Sequence, residues 1–142
     1  MVNDVKKYGL NRHSDSIKQI YDYCFKYWMQ LLKFNKCSLI EFFDIVRKIP
    51  YFEDKGLEII QTPDLTLSFN RGDCKKKSVL MGSYFNMKKI PFRLVTMSET
   101  ADKIPHHVFT QFFDNGLWIN ADATYSKNRI GESKYGTKFY IY

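Results

Sequence analysis

The spacing of apolar residues changes once along this chain, and that change restricts the fold more than any other feature. Before Met87 they recur at intervals of three and four; from Ile90 onward they come in short runs separated by turn residues. Helices followed by strands define an α+β domain, with N-terminal helices packed on an antiparallel β-sheet. The helical part opens with Ser14 or Asp15 as N-cap. Ile17, Ile20, Tyr21, Cys24, Tyr27, Trp28, Leu31 and Leu32 then form one face of about five turns. Residues 1–13 read as a loose polar lead-in. A second helix starts at Ser38, where Glu41 completes a capping box, and stops at Pro50.

Between residues 51 and 70 the signals are mixed. Asp54-Lys55-Gly56 is a turn and Leu57–Ile60 a short extended piece. Leu65, Leu67 and Phe69 alternate, yet Pro63 after Thr62 is equally the N1 position of a short helix. Gly72 is expected to give the freedom for a sharp turn, and a further helix begins at Cys74 and carries Ser78, Val79, Leu80, Met81, Tyr84, Phe85 and Met87. Strands are expected at Ile90–Met97, His107–Phe113, Leu117–Asp122 and Thr137–Tyr142, with a polar loop at Ser98–Pro105. Asp114-Asn115-Gly116 is a hairpin turn, so the second and third strands are antiparallel neighbours.

A length of 142 residues suits one domain, and a 44% apolar, 17% aromatic composition supplies a core and argues against disorder. The polar start Met1–Lys7 leads into no apolar stretch, so neither a secretion signal nor a membrane span is expected, and the cytoplasm is the expected compartment. Cys24, Cys37 and Cys74 form an odd set without Cys-x-x-Cys spacing, which points away from a disulfide framework or zinc site. Neither a metal nor a cofactor is expected. The net charge of +7 is spread along the chain rather than banked in one arm, so nucleic acid is not expected as the primary ligand.

Three residues carry chemistry. Cys74 opens a helix, where backbone dipoles favour a thiolate, and Lys75-Lys76-Lys77 follow it; a lysine run of this kind reads as a solvated face. His107 begins one hairpin strand and Asp122 ends the other, so the turn folds them side by side as base and orienting carboxylate. His106 competes with His107 on these grounds, while His13 reads as a surface residue. The backbone N–H of Cys74 is the natural first oxyanion donor. Gln61 is favoured over Asn70 as the second.

Four blocks then coincide in order. They are Gly72-Asp73-Cys74 with Ser78, Ile90-Pro91-Phe92-Arg93-Leu94-Val95, His107-Val108-Phe109, and Trp118-Ile119-Asn120-Ala121-Asp122-Ala123-Thr124. In these the chain resembles the transglutaminase-like superfamily of papain-like thiol enzymes, over about Leu57–Thr124. Glu58-Ile59-Ile60-Gln61-Thr62-Pro63 resembles a segment of its small bacterial and phage members. The resemblance selects His107 over His106 and implies a single papain-like, transglutaminase-core domain over 1–142, with a catalytic core at 51–124. It departs where relatives often carry acidic residues after the cysteine, and where their helix-ending glycine is here Lys88 or Lys89.

The resemblance implies a thiol acyl-transfer enzyme with a Cys74–His107–Asp122 triad, a peptidase or amidase acting on a protein or peptide. Hydrolysis is expected over transfer to an amine, because water is always available and no amine pocket or calcium loop is evident. A different class remains open: a non-catalytic structural or interaction protein that keeps the fold, such as a phage particle component with an assembly partner in the virion.

Overall fold

The structure is a computed structural model and describes residues 9–53, 59–98, 107–132 and 138–142. The turn expected at 54–56, the first half of the extended piece expected at 57–60, the loop after Ser98 and His106 lie outside the described residues; Ile59 and Ile60 are in no helix or strand.

Four helices pack on one antiparallel sheet. Helix α1 (Gly9–Tyr27) runs directly into a 3-10 helix at Trp28–Phe34, followed by α2 (Leu39–Arg47), α3 (Pro63–Phe69) and α4 (Cys74–Met87). Strands β1 (Phe92–Ser98), β2 (His107–Asp114), β3 (Leu117–Ala121) and β4 (Lys138–Ile141) follow, in the spatial order β3-β2-β1-β4. Each pairing is antiparallel. The α+β reading therefore holds, and the last strand joins the sheet as its edge beside β1.

Local chemistry explains the boundaries. Ser38 Oγ accepts from the Glu41 N–H, and the Glu41 carboxylate accepts from the Ser38 N–H, so the capping box of α2 forms as expected. The ambiguous stretch resolves as helix, with Pro63 in its first turn and Asn70 ending it in the left-handed region at φ 53°. Asn115 and Gly116 take φ 50° and 80°, the pair of positive values a two-residue hairpin requires. Two expectations need correction. The backbone is already helical at Gly9, inside the segment read as lead-in, and the first helix tightens to 3-10 geometry at Trp28 rather than continuing as α.

Helix α4 is the centre of the molecule. Twelve of its fourteen residues are buried, because α1, the 3-10 helix, α2 and α3 surround it on one side and β2 lies on the other. Tyr84 stacks on Phe42 of α2 at 4.6 Å and donates its hydroxyl to the Cys37 carbonyl; Phe85 stacks on Phe112 of β2 at 5.3 Å. Fully burying a side chain of this kind is worth about 1.5–3 kcal/mol, so this contact set anchors helix to sheet. Gly82 is what lets α1 lie close: a Cβ there would sit 2.4 Å from Cys24 Sγ and 2.9 Å from Phe92 Cε2. Cys24 is wholly buried in that crossing, as a core residue, and burial pushes its thiol up to about 12.

The helix ends in a paired hydrogen-bond motif: the Ile90 N–H donates to the Phe85 carbonyl and the Lys89 N–H to that of Asn86. Lys89, at φ 59°, occupies the left-handed position that glycine usually fills.

Candidate active site

Cys74 is the first residue of α4. Asp73 caps it: Oδ1 accepts from the Lys76 N–H at 3.1 Å, and the Asp73 carbonyl accepts from the Lys77 N–H. The Cys74 N–H is among the leading donors that helix geometry leaves without an intrahelical acceptor. The segment before the helix is fixed by backbone pairing, with Gly72 N–H donating to Pro50 and Phe52 N–H donating to Gly72, each at 3.1 Å. Gly72 is needed here for space rather than for positive φ, which corrects the sequence expectation. A Cβ would lie 3.1 Å from Lys76 Cβ and 3.4 Å from Thr66 Cγ2.

Sheet register brings His107 and Asp122 together. Thr110 pairs with Ala121, so continuing the ladder sets Asp122 opposite Phe109, on the same face as His107 and diagonal to it. His107 Nε2 lies 2.7 Å from Asp122 Oδ2, with both side chains buried. The other carboxylate oxygen, Oδ1, accepts from the Thr124 N–H at 3.2 Å, and Asn128 Nδ2 donates to the Asp122 carbonyl at 3.0 Å. The imidazole stacks on the rings of Phe109 and Tyr125, at 5.6 and 5.8 Å. The Cys74 side chain is its other electrostatic neighbour. Burial alone would pull the imidazole down. Asp122, at hydrogen-bond distance, and Cys74 outweigh it and carry His107 up to about 9.

The lysine run is not a solvated face. Lys76 and Lys77 are 4% and 1% exposed, and Lys75 Nζ pairs with Asp73 Oδ2 at 3.1 Å. Lys77 Nζ donates to the carbonyls of Ile49 at 2.6 Å and Thr124 at 2.9 Å. Its position could have been read from the sequence, since it lies three and four residues before Leu80 and Met81 and so shares their buried stripe. Burial lowers the amine to about 8 against the opposing pull of Asp122. Tyr125, which covers His107, and Asp73, which caps the helix, were also missed. An Asp three residues before Lys76 at a helix start was the available signal for the cap.

Of the two upstream amides, Gln61 lies just before α3, its Oε1 accepting from the Thr66 hydroxyl at 3.0 Å; its neighbour Ile60 packs on the cluster that contains Cys74. Asn70 is the exposed residue that ends α3. Tyr51 stacks on Tyr125 at 5.6 Å, and a groove of ≈ 530 Å³ runs between Lys48–Tyr51 and Thr124–Lys127. Among the described residues, no group of three His, Cys, Asp or Glu side chains is placed to hold a metal ion, and no helix is long and apolar enough to cross a membrane.

Helices packed on an antiparallel sheet, with a central helix that opens on Cys74, make a papain-like α+β fold. Two solved structures share it. A candidate cysteine protease from Cytophaga hutchinsonii superposes with a TM-score of 0.56 at 16% identity, covering 87% of this chain and 55% of that one. Calcium-bound LapG of Legionella pneumophila gives 0.54 at 15%, covering 79% of this chain and 75% of LapG. The chain thus spans just over half the length of the Cytophaga protein, and at these identities the likeness is one of fold. No family model matches the sequence, and no curated protein matches it.

Proposed function

We propose that residues 1–142 form one transglutaminase-like domain that acts as a cysteine peptidase or amidase, with Cys74 as nucleophile, His107 as acid and base, and Asp122 as the group that orients His107. The observation that carries this reading is the buried imidazole, hydrogen-bonded to Asp122 at 2.7 Å and electrostatically coupled to a cysteine at a helix start. An imidazole oriented by a carboxylate can take the proton of a cysteine and return it to a leaving group.

The substrate on this reading is a protein or peptide, and the groove beside Tyr51 and Tyr125, the ring that stacks on His107, is the approach to the site. Sulfur attacks the amide carbonyl carbon, and the C=O electron pair moves onto oxygen, stabilised by the Cys74 N–H and, as second donor, Gln61. The C–N bond breaks as His107 passes its proton to the departing amine. Neutral His107 then takes a proton from water, whose oxygen attacks the thioester, and the acid leaves as the thiolate and imidazolium re-form.

Incubating the protein with a peptide library and a primary amine, with mass-spectrometric readout, is expected to show cleavage; amine incorporation alone would assign the second half-reaction to a transferase. Iodoacetamide at mildly acidic pH is expected to modify Cys74 selectively, with Cys24 silent, and His107→Ala to abolish the selectivity. Uniform slow labelling would replace the enzyme reading with a non-catalytic one.

A further inference from the structure

We propose that Lys77 is a positioning residue: its buried ammonium ties the Ile49 carbonyl to the Thr124 carbonyl, and through Thr124 sets the Asp122 carboxylate against His107. The proposal rests on the thiol-enzyme reading for its kinetic arm alone.

The connections are continuous. Lys77 Nζ holds the Thr124 carbonyl at 2.9 Å; the Thr124 N–H holds Asp122 Oδ1 at 3.2 Å; Asp122 Oδ2 holds His107 Nε2 at 2.7 Å. On the other side Lys77 holds the Ile49 carbonyl at 2.6 Å. Ile49 leads into Pro50, whose carbonyl accepts from Gly72, two residues before Cys74. One ammonium therefore joins the chain that leads into the nucleophile's turn to the chain that carries the orienting carboxylate. Those two segments are also the opposite walls of the groove.

The residue type argues for position rather than stability. Lys77 is 1% exposed on a helix face shared with Leu80 and Met81. Methionine or leucine would fill such a site without the desolvation penalty of a buried ion. Carbonyl oxygens left facing an apolar side chain there would have no donor, so the lysine is the group that fixes where they point. The charged and titratable groups around this chain of contacts include Asp122, His107 and Cys74, with Tyr125 stacked on His107 and with Tyr51 and Asp73 beside Cys74.

The test uses the full chain and compares wild type with Lys77→Met and Lys77→Gln. The readouts are the NMR titration of the His107 ring and steady-state kinetics on a peptide found to be cleaved. With Lys77→Met, Asp122 loses its anchor: His107 is expected to titrate about one pH unit or more below wild type. The same variant is expected to lose about ten- to hundredfold in kcat, the cost of a small misplacement, with KM within about twofold. Lys77→Gln, which keeps neutral N–H donors, is expected to recover part of both. If Lys77 acted only as a charge, removing a cation near Asp122 would raise His107; if only as a strut, Tm would fall with the titration unmoved. Either result overturns the proposal.

Should the variants not fold, wild type labelled with 15N-lysine and 13C-carbonyl decides. Slowly exchanging Lys77 ammonium protons with couplings across the hydrogen bonds to Ile49 and Thr124 are expected, and their absence overturns it. If wild type cleaves no peptide, the acyl-transfer reading falls while the His107 titration and the couplings still judge Lys77.

Discussion

The buried imidazole makes stability depend on pH in a way that can be worked through. His107 goes from 6.5 in the unfolded chain to about 9 in the fold. At about 1.4 kcal/mol per pH unit this difference is worth about 3 kcal/mol. The sign follows from the direction. A raised value means the native state binds the proton more tightly, so the contribution is fully present below pH 6.5 and disappears as pH rises through 9. Two other buried groups titrate nearby. Lys77, lowered to about 8 from 10.5, acts in the opposite sense, destabilising the fold below 8 and releasing that cost as pH rises to 10.5. Cys24, raised from 9.0 to about 12, acts in the same sense as His107 but above pH 9. The wild-type curve alone therefore mixes three terms, and the informative quantity is its difference from His107→Gln. Urea unfolding of both proteins at intervals from pH 5.5 to pH 9.5 is expected to show wild type losing about 3 kcal/mol relative to the variant, most of it between 6.5 and 9. A difference constant to within about 1 kcal/mol over that range would refute the view that Asp122 and Cys74 hold the ring protonated.

Asp122→Asn is expected to lower kcat for peptide cleavage by about 10²- to 10⁴-fold with a small change in KM, because the amide presents the wrong partner to Nε2; an unchanged kcat would remove Asp122 from the site. Gly82→Ala should destabilise the fold by about 1–3 kcal/mol in urea unfolding, since its Cβ meets Cys24 Sγ and the Phe92 ring, and Cys24→Ala in the same chain should return part of the loss. Lys89→Gly is expected to stabilise by about 1 kcal/mol, read as a rise in Tm, by relieving a left-handed non-glycine residue at the end of α4.

What could be read from the sequence was what depends on nearby residues. The capping box at Ser38, the hairpin at Asn115-Gly116 and the helix start at Cys74 are each fixed by a few adjacent side chains, and all three form. The side-by-side position of His107 and Asp122 was legible for the same reason, as two residues at the open ends of one hairpin. The lysines were misread because composition describes a segment without its surroundings. A lysine run is a solvated face on a surface helix, but α4 has no such face, being covered by four helical segments and a sheet. Gly72 was misread in kind: its role is close approach to Lys76 and Thr66, which the sequence does not show. How near Cys74 lies to His107 depends on packing α4 against β2, elements that are apart in the sequence, which local pattern does not determine.

The division between the hairpin and α4 also sets an order of assembly. His107 and Asp122 can meet as soon as their hairpin closes, an event of about 1–10 μs that needs little of the chain beyond its two strands. Cys74 joins them only when α4 is enclosed by the helices before it and the strands after it, a non-local step and so a later one. A partly made or partly folded chain then carries a thiol without its imidazolium. On the proposed reading, the meeting of Cys74 with His107 is a checkpoint for completed folding, so that a chain still emerging from the ribosome, or one denatured by stress, would not carry an armed nucleophile among its neighbours.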